Sequence, residues 1–178
     1  MSEKVLEGKS ILMIIARQNF RDEELAEPRA VFQEAGAKVT IASSVMQECV
    51  GMLKKVRVKP DTTIDKVDPK VYDAVVFVGG SGATEYWNNK TAHKIASDAL
   101  AAGKVVAAIC IAPVILANAG LLKGKKATVF QTEKDQLIKA GAKYTGAPVE
   151  KDGKIITGDG PQSARKFGET IRDALAGK

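Results

Sequence analysis

An α/β fold built on a mostly parallel sheet is predicted by three features of this 178-residue sequence. Short apolar runs rich in β-branched residues alternate with segments of helical period. Several of these runs, Lys104 to Ile109 above all, are apolar beyond their first residue and so need cover on both faces. The turns that follow them are rich in glycine and polar residues.

Taken in order, Ser10 to Ala16 reads as a buried strand bounded by Gly8-Lys9 and Arg17-Gln18-Asn19. Asp22 to Ala35 carries Leu25, Ala26, Ala30, Val31 and Ala35 at helical spacing and stops at Gly36. Lys38 to Ala42 is the second strand, and Met52 to Val58 a further strand or hairpin arm halted by Pro60-Asp61. Asp73 to Val78 is a short buried strand that enters Gly79-Gly80-Ser81-Gly82. Thr91 to Ala102 is helical and closes at Gly103. The apolar strand Lys104 to Ile109 then leads straight into a helix from Ile111 to Ala119, capped at Gly120. A strand Lys126 to Phe130, a helix Glu133 to Ala140, a Val149 to Ile156 hairpin turning at Asp152-Gly153 and a helix Pro161 to Ala176 complete the chain, which reads as one domain over residues 1–178.

Composition narrows the function classes. With 45% hydrophobic residues in 18.9 kDa, the chain can bury a full core without a disulfide or metal staple. No apolar run reaches the roughly 20 residues of a bilayer span, and Met1-Ser2-Glu3-Lys4 is charged where a secretory leader would be apolar, so a cytoplasmic protein with no membrane partner is expected. The net charge of +6 is spread along the chain. Its densest stretch, Lys54 to Lys59, sets Lys55, Arg57 and Lys59 against Val56 and Val58 in the manner of a charged edge strand, and no recognition helix accompanies it. No nucleic-acid partner is expected. Two cysteines and one histidine are too few for a thiolate or zinc centre, so no metal is expected either.

In a mostly parallel sheet, ligands bind at the carboxyl ends of strands. Three segments there enter polar or glycine-rich turns: Arg17 to Glu24, Gly79 to Gly82, and Cys110. Ala108-Ile109-Cys110-Ile111-Ala112 has the small-x-nucleophile-x-small form of a nucleophile elbow, which would aim the sulfur at a helix N-terminus that favours thiolate. A small buried hydrophobe is the competing reading of Cys110.

Phe20-Arg21-Asp22-Glu23-Glu24-Leu25-Ala26-Glu27-Pro28, Val78-Gly79-Gly80-Ser81-Gly82 and Ala107-Ala108-Ile109-Cys110-Ile111-Ala112-Pro113 agree in order and spacing with one known family, as does Val149 to Gly153. With these motifs the chain resembles the DJ-1/PfpI family of the class I glutamine-amidotransferase-like superfamily. The resemblance implies a flavodoxin-like three-layer sandwich with helices on both faces of the sheet, a homodimer, and Cys110 as the elbow cysteine. It places the family's acid, four residues before a proline, on Glu24. It also implies backbone oxyanion donors at Gly80 and Ile111, a pocket beside Gly79, Ser81 and Phe130, and no cofactor. An ionised carboxylate beside Cys110 would raise the thiol pKa, so Glu24 must be protonated to assist it. Asp22 and Glu23 are equally suited to be plain first-turn acids, and only register with Pro28 selects Glu24.

The chain departs from the family pattern at its bases. Ile111 and Phe130 stand where related branches carry histidine, and Gly158-Asp159 replaces the Ser-Arg pair before Gly160-Pro161. His93 lies mid-helix and reads as a surface residue. Cys49 reads as a bystander in a loop, and Tyr86-Trp87-Asn88-Asn89 as a pocket wall. Without a Cys-His pair, peptidase chemistry lacks its general base. The expected function is cysteine chemistry on small reactive carbonyls, of glyoxalase or deglycase type, through Cys110 and Glu24. The alternatives are a redox sensor or chaperone acting by Cys110 oxidation, with an oxidant as partner, and an isocyanide-hydratase-like lyase.

Overall fold

The computed structural model describes residues 4–178; residues 1–3, which carry part of the leader argument, lie outside it. The strands are β1 (Ser10–Ile14), β2 (Gln18–Phe20), β3 (Lys38–Ser43), β4 (Cys49–Gly51), β5 (Arg57–Val58), β6 (Thr62–Thr63), β7 (Ala74–Phe77), β8 (Val105–Ile109), β9 (Lys126–Ala127), β10 (Lys143–Tyr144), β11 (Val149–Asp152) and β12 (Ile155–Gly158). The α-helices are α1 (Asp22–Glu34), α2 (Lys90–Ala101), α3 (Pro113–Asn118), α4 (Lys134–Lys139) and α5 (Ala164–Leu175).

Seven strands form the central sheet in the order β11-β12-β8-β7-β1-β3-β6. All neighbours are parallel except β11 and β12, the predicted hairpin. Period-two alternation divides the core into two layers. Leu12, Ile14, Val75, Phe77, Val106 and Ala108 pack under α2 and α3, while Ile11, Met13, Val76, Val105, Ala107 and Ile109 pack under α1 and α5. This is the flavodoxin-like sandwich, and it explains why β7 and β8 are apolar throughout.

The sheet ends place the site. α1 begins with Asp22, Glu23 and Glu24 in its first turn, where the positive helix end stabilises acids. Pro28 sits inside α1 and has no N–H, so the Glu24 carbonyl four residues earlier lacks its usual helical partner. α1 packs on α5 where Gly168 leaves room: a Cβ there would lie 2.8 Å from Pro28 Cα.

Three sequence expectations are corrected. Met52 to Val56 is the turn between β4 and β5 rather than strand, because the buried Asp22 carboxylate accepts the backbone N–H groups of Leu53 (2.7 Å), Lys55 (3.0 Å) and Val56 (2.9 Å). Cys49 is buried in β4 opposite Val58 rather than in a loop, since pairing across the hairpin supplies the order that its polar neighbours give no sign of. Lys126 to Phe130 holds a ladder only at β9, against β10; beyond it Thr128 N–H turns to the Thr157 hydroxyl. The small β2-β4-β5 sheet and the edge strand β6 are too short for any periodicity to mark them.

Candidate active site

The three strand-end segments meet. Cys110 follows β8 with φ +65°, a left-handed conformation that few non-glycine residues adopt. Its N–H donates to the Gly158 carbonyl (2.9 Å) and its carbonyl accepts from Phe130 N–H (2.8 Å), so neighbours on both sides hold the strained elbow. Ala108 and Ala112 are fully buried, which explains the small residues two positions either side. Gly80 and Ile111 line the same cleft as Cys110 and their N–H groups favour its charged form, so the residues expected as oxyanion donors lie beside it.

Glycine is required where β7 ends. At Gly80, φ is +104° and a Cβ would meet Asn19 O at 2.6 Å and Phe20 C at 2.7 Å. The close passage lets Arg21 N–H bond the Gly79 carbonyl (2.8 Å) and brings the start of α1 against the elbow. Gly79 lies between the two key side chains: a Cβ there would overlap the Glu24 carboxylate and approach Cys110 Cβ and the Ile109 carbonyl at 2.5 Å each.

Glu24 is fully buried, and neither carboxyl oxygen makes a well-formed hydrogen bond, although the Cys110 thiol and the Gly79 N–H lie beside it. Burial pushes its pKa up to about 8, against the smaller opposing pull of the Cys110 thiol, Arg21 and Gly79 N–H. Glu24 is therefore protonated at neutral pH, the condition its assisting role requires. Burial, then the Glu24 charge, push the Cys110 thiol up to about 12, opposed by Gly80 and Ile111 N–H. The expectation of a thiol depressed by a helix N-terminus is corrected: α3 spans only six residues, and desolvation outweighs it. The two groups titrate as one unit in which the first proton leaves near Glu24's value.

The neighbouring acids separate cleanly. Burial works against Asp22, but its three backbone N–H bonds prevail and hold its carboxyl below the ordinary range, which makes it an anchor for the β4-β5 turn. Glu23 takes a forked contact from Arg21 at 2.9 and 3.0 Å.

Over the sulfur lies a cleft of about 260 Å³, walled by Ser81, Ile111 and Phe130 and by Arg21, Met52, Thr132 and Pro161. Cys110 is 7% exposed at its floor. Gly79, expected in the pocket lining, lies behind the sulfur instead. A larger groove of about 760 Å³ shares Phe130, Thr132 and Pro161 with the cleft and contains Asp159 but not Cys110; the smaller cleft, which holds the cysteine, is the candidate site. Arg21 was legible within its motif as a neighbour of Glu24, whereas Met52 arrives from a distant hairpin with no sequence signal.

The remaining candidates lie elsewhere. Tyr86 is buried with its hydroxyl donating to the Ile15 carbonyl (2.8 Å), so it packs beneath the sheet end and walls no pocket; Trp87, Asn88 and Asn89 do not line the cleft either. His93 is half-buried on α2, with Nε2 2.8 Å from the Trp87 carbonyl, rather than free on the surface. Cys49 is buried and its thiol pushed up by desolvation. Among the described residues, no three His, Cys, Asp or Glu side chains converge as ligands for a metal ion, and no helix is long and apolar enough to cross a membrane.

Comparison with known proteins identifies the family and the fold. The deglycase PfpI of Pyrococcus furiosus is 35% identical over 150 residues, covering 84% of this chain and 90% of its own. Protein dj-1beta of Drosophila melanogaster is 34% identical over 175 residues, covering 96% and 91%. The crystal structure of a ThiJ/PfpI domain protein from Brachyspira murdochii superposes with a TM-score of 0.92 at 31% identity, covering 95% of this chain and 97% of that one. With residues 9–174 matching the sequence profile of the DJ-1/PfpI family, the chain belongs to that family.

Proposed function

We propose that the protein converts small reactive carbonyls, with methylglyoxal as the representative substrate, through Cys110 and Glu24 and without a cofactor. The observation that carries this reading is a buried carboxyl with no well-formed hydrogen bond, beside a cysteine at the floor of a cleft of about 260 Å³, room for a small molecule. Relatives named deglycases support the same chemical class.

Chemistry begins when the pair loses one proton and Cys110 Sγ adds to the aldehyde carbon. A C–S bond forms, and the oxygen takes a proton from the Glu24 carboxyl while Gly80 and Ile111 N–H groups stabilise the developing charge. The Glu24 carboxylate then removes the hydrogen on that carbon and returns it at the adjacent former ketone carbon, while the hydroxyl proton passes to the former ketone oxygen and a thioester carbonyl forms. One carbon is oxidised as its neighbour is reduced, so no external redox partner is needed. Water cleaves the resulting thioester to lactate and restores the thiol. With Ile111 and Phe130 in place of histidine, Glu24 is, among the described residues, the one side-chain base beside Cys110, consistent with a slower enzyme than one with a second positioned base, which supplies roughly 10²- to 10⁴-fold.

A second reading uses the same donors. Oxidation of Cys110 to a sulfinate would place oxygens where Gly80 N–H, Ile111 N–H and the Glu24 carboxyl can bind them, giving a redox-responsive protein. On either reading the protein is proposed to be a cytoplasmic homodimer, as family membership suggests. The test is lactate formation from methylglyoxal without glutathione or metal. Turnover in the wild type that is lost in Cys110→Ala supports the carbonyl reading, and no turnover overturns it, leaving oxidation or another electrophile as the use of Cys110.

A further inference from the structure

Two motifs singled out in the sequence, His93 and Tyr86-Trp87, have no part in the cleft, yet they connect to it. The Trp87 indole Nε1–H donates to the Ile111 carbonyl at 3.0 Å. Ile111 directly follows Cys110, lines the cleft beside it, and with Gly80 supplies an N–H that favours the charged form of its sulfur. Its two flanking peptide groups are each pinned from outside. The Cys110–Ile111 peptide is held through its carbonyl by Phe130 N–H, and the Ile111–Ala112 peptide through its carbonyl by Trp87. The first pin is backbone, so among the described residues Trp87 is the one outside pin on Ile111 made by a side chain.

Trp87 is itself fixed. Its carbonyl has two lone pairs, and both are taken by side chains from different helices: His93 Nε2 of α2 at 2.8 Å and Asn118 Nδ2 of α3 at 2.9 Å. The His93 contact requires the proton on Nε2. Asn118 Nδ2 also reaches Asn88 Oδ1 at 3.1 Å, which ties down the next residue of the loop. The indole is half-buried against the same core layer as Ile111, so packing and hydrogen bonding set one orientation.

We propose that Trp87, clamped by His93 and Asn118, is a positioning residue for the elbow: it holds Ile111 so that its N–H stays beside the sulfur. The sole histidine of the chain then serves the site through the main chain of Trp87 and does not act as a base. The proposal rests on the reading of Cys110 as the working nucleophile, but its test needs no turnover.

The test is site-resolved alkylation of the full-length protein by iodoacetamide, followed by mass spectrometry, with buried Cys49 as an internal control. Trp87→Phe keeps an aromatic ring and removes the donor; Val114 N–H remains on the Ile111 carbonyl at 3.3 Å, so the first turn of α3 persists. The Cys110 rate should fall about two- to tenfold, the size of one lost neutral hydrogen bond, with Cys49 still unlabelled. His93→Ala should lower the rate in the same direction, and His93→Gln, which supplies a donor again, should recover most of it. An unchanged Cys110 rate in Trp87→Phe overturns the proposal. So does a rise in labelling of both cysteines, which would mean that Trp87 only stabilises the fold.

Discussion

Raising the pH from 4.5 to about 8 should cost the wild-type protein stability that Glu24→Gln retains. The Glu24 carboxyl ordinarily titrates at 4.5 and is lifted to about 8 in the folded protein by burial. Between these values the folded state holds a proton that the unfolded state has released, so unfolding free energy falls as pH rises. The contribution is fully present below pH 4.5 and is lost as pH climbs through the folded value. At about 1.4 kcal/mol per pH unit, the interval from 4.5 to about 8 corresponds to roughly 5 kcal/mol as an upper bound. The linkage counts protons on the pair, so it holds whether the charge above pH 8 resides on Glu24 or on Cys110. The substituted glutamine side chain has a similar shape and cannot ionise. Urea denaturation of both proteins at pH 5, 6, 7 and 8 should give curves that diverge by about one proton's slope, the variant gaining relative to the wild type at each step. Parallel curves would refute the claim that Glu24 is buried in its protonated form.

Other consequences are open to direct measurement. Alkylation of Cys110 should accelerate with pH and level off above about pH 8 as the pair loses its first proton, whereas in Glu24→Gln the rate should continue to rise past that point. Asp22→Ala should destabilise the protein by roughly 3 kcal/mol by orphaning three backbone N–H groups of the β4-β5 turn, read from denaturant midpoints. Because those bonds hold the Asp22 carboxyl below its ordinary 3.8, its contribution is present above that pH and lost as pH falls through the lower folded value, so Asp22→Ala should flatten the acid limb of stability. Gly79→Ala should cost roughly 2–3 kcal/mol and slow Cys110 alkylation more than tenfold, because its Cβ must displace Glu24 or the elbow.

The inner strands of the central sheet are legible because parallel strands covered on both faces must be apolar throughout, as Val105–Ile109 is, and the helices because their glycine stops are local. The elbow was legible for a related reason: a residue held at φ +65° between close-packed elements demands small neighbours, and Ala108 and Ala112 supply them. Glu24 was found by its register with Pro28, although its burial and its lack of a well-formed hydrogen bond depend on tertiary packing that no local pattern encodes. What stayed hidden is non-local. Asp22 looks like any first-turn acid until Leu53, Lys55 and Val56 fold over it, and the same contact converts an apparent strand into a turn. Met52 enters the cleft on that turn. The thiol's upward shift was missed because helix position was weighed without the desolvation that comes with a fully covered elbow.

The claim that Cys110 attacks and Glu24 moves the proton is tested most directly by peptide mapping of Glu24→Gln after brief exposure to methylglyoxal, with lactate assayed in the same sample. The account predicts one methylglyoxal unit on the peptide containing Cys110 and no lactate, because the adduct forms and its proton transfer is blocked. Adducts confined to lysines with Cys110 unmodified, or lactate formed as fast as by the wild type, would contradict it.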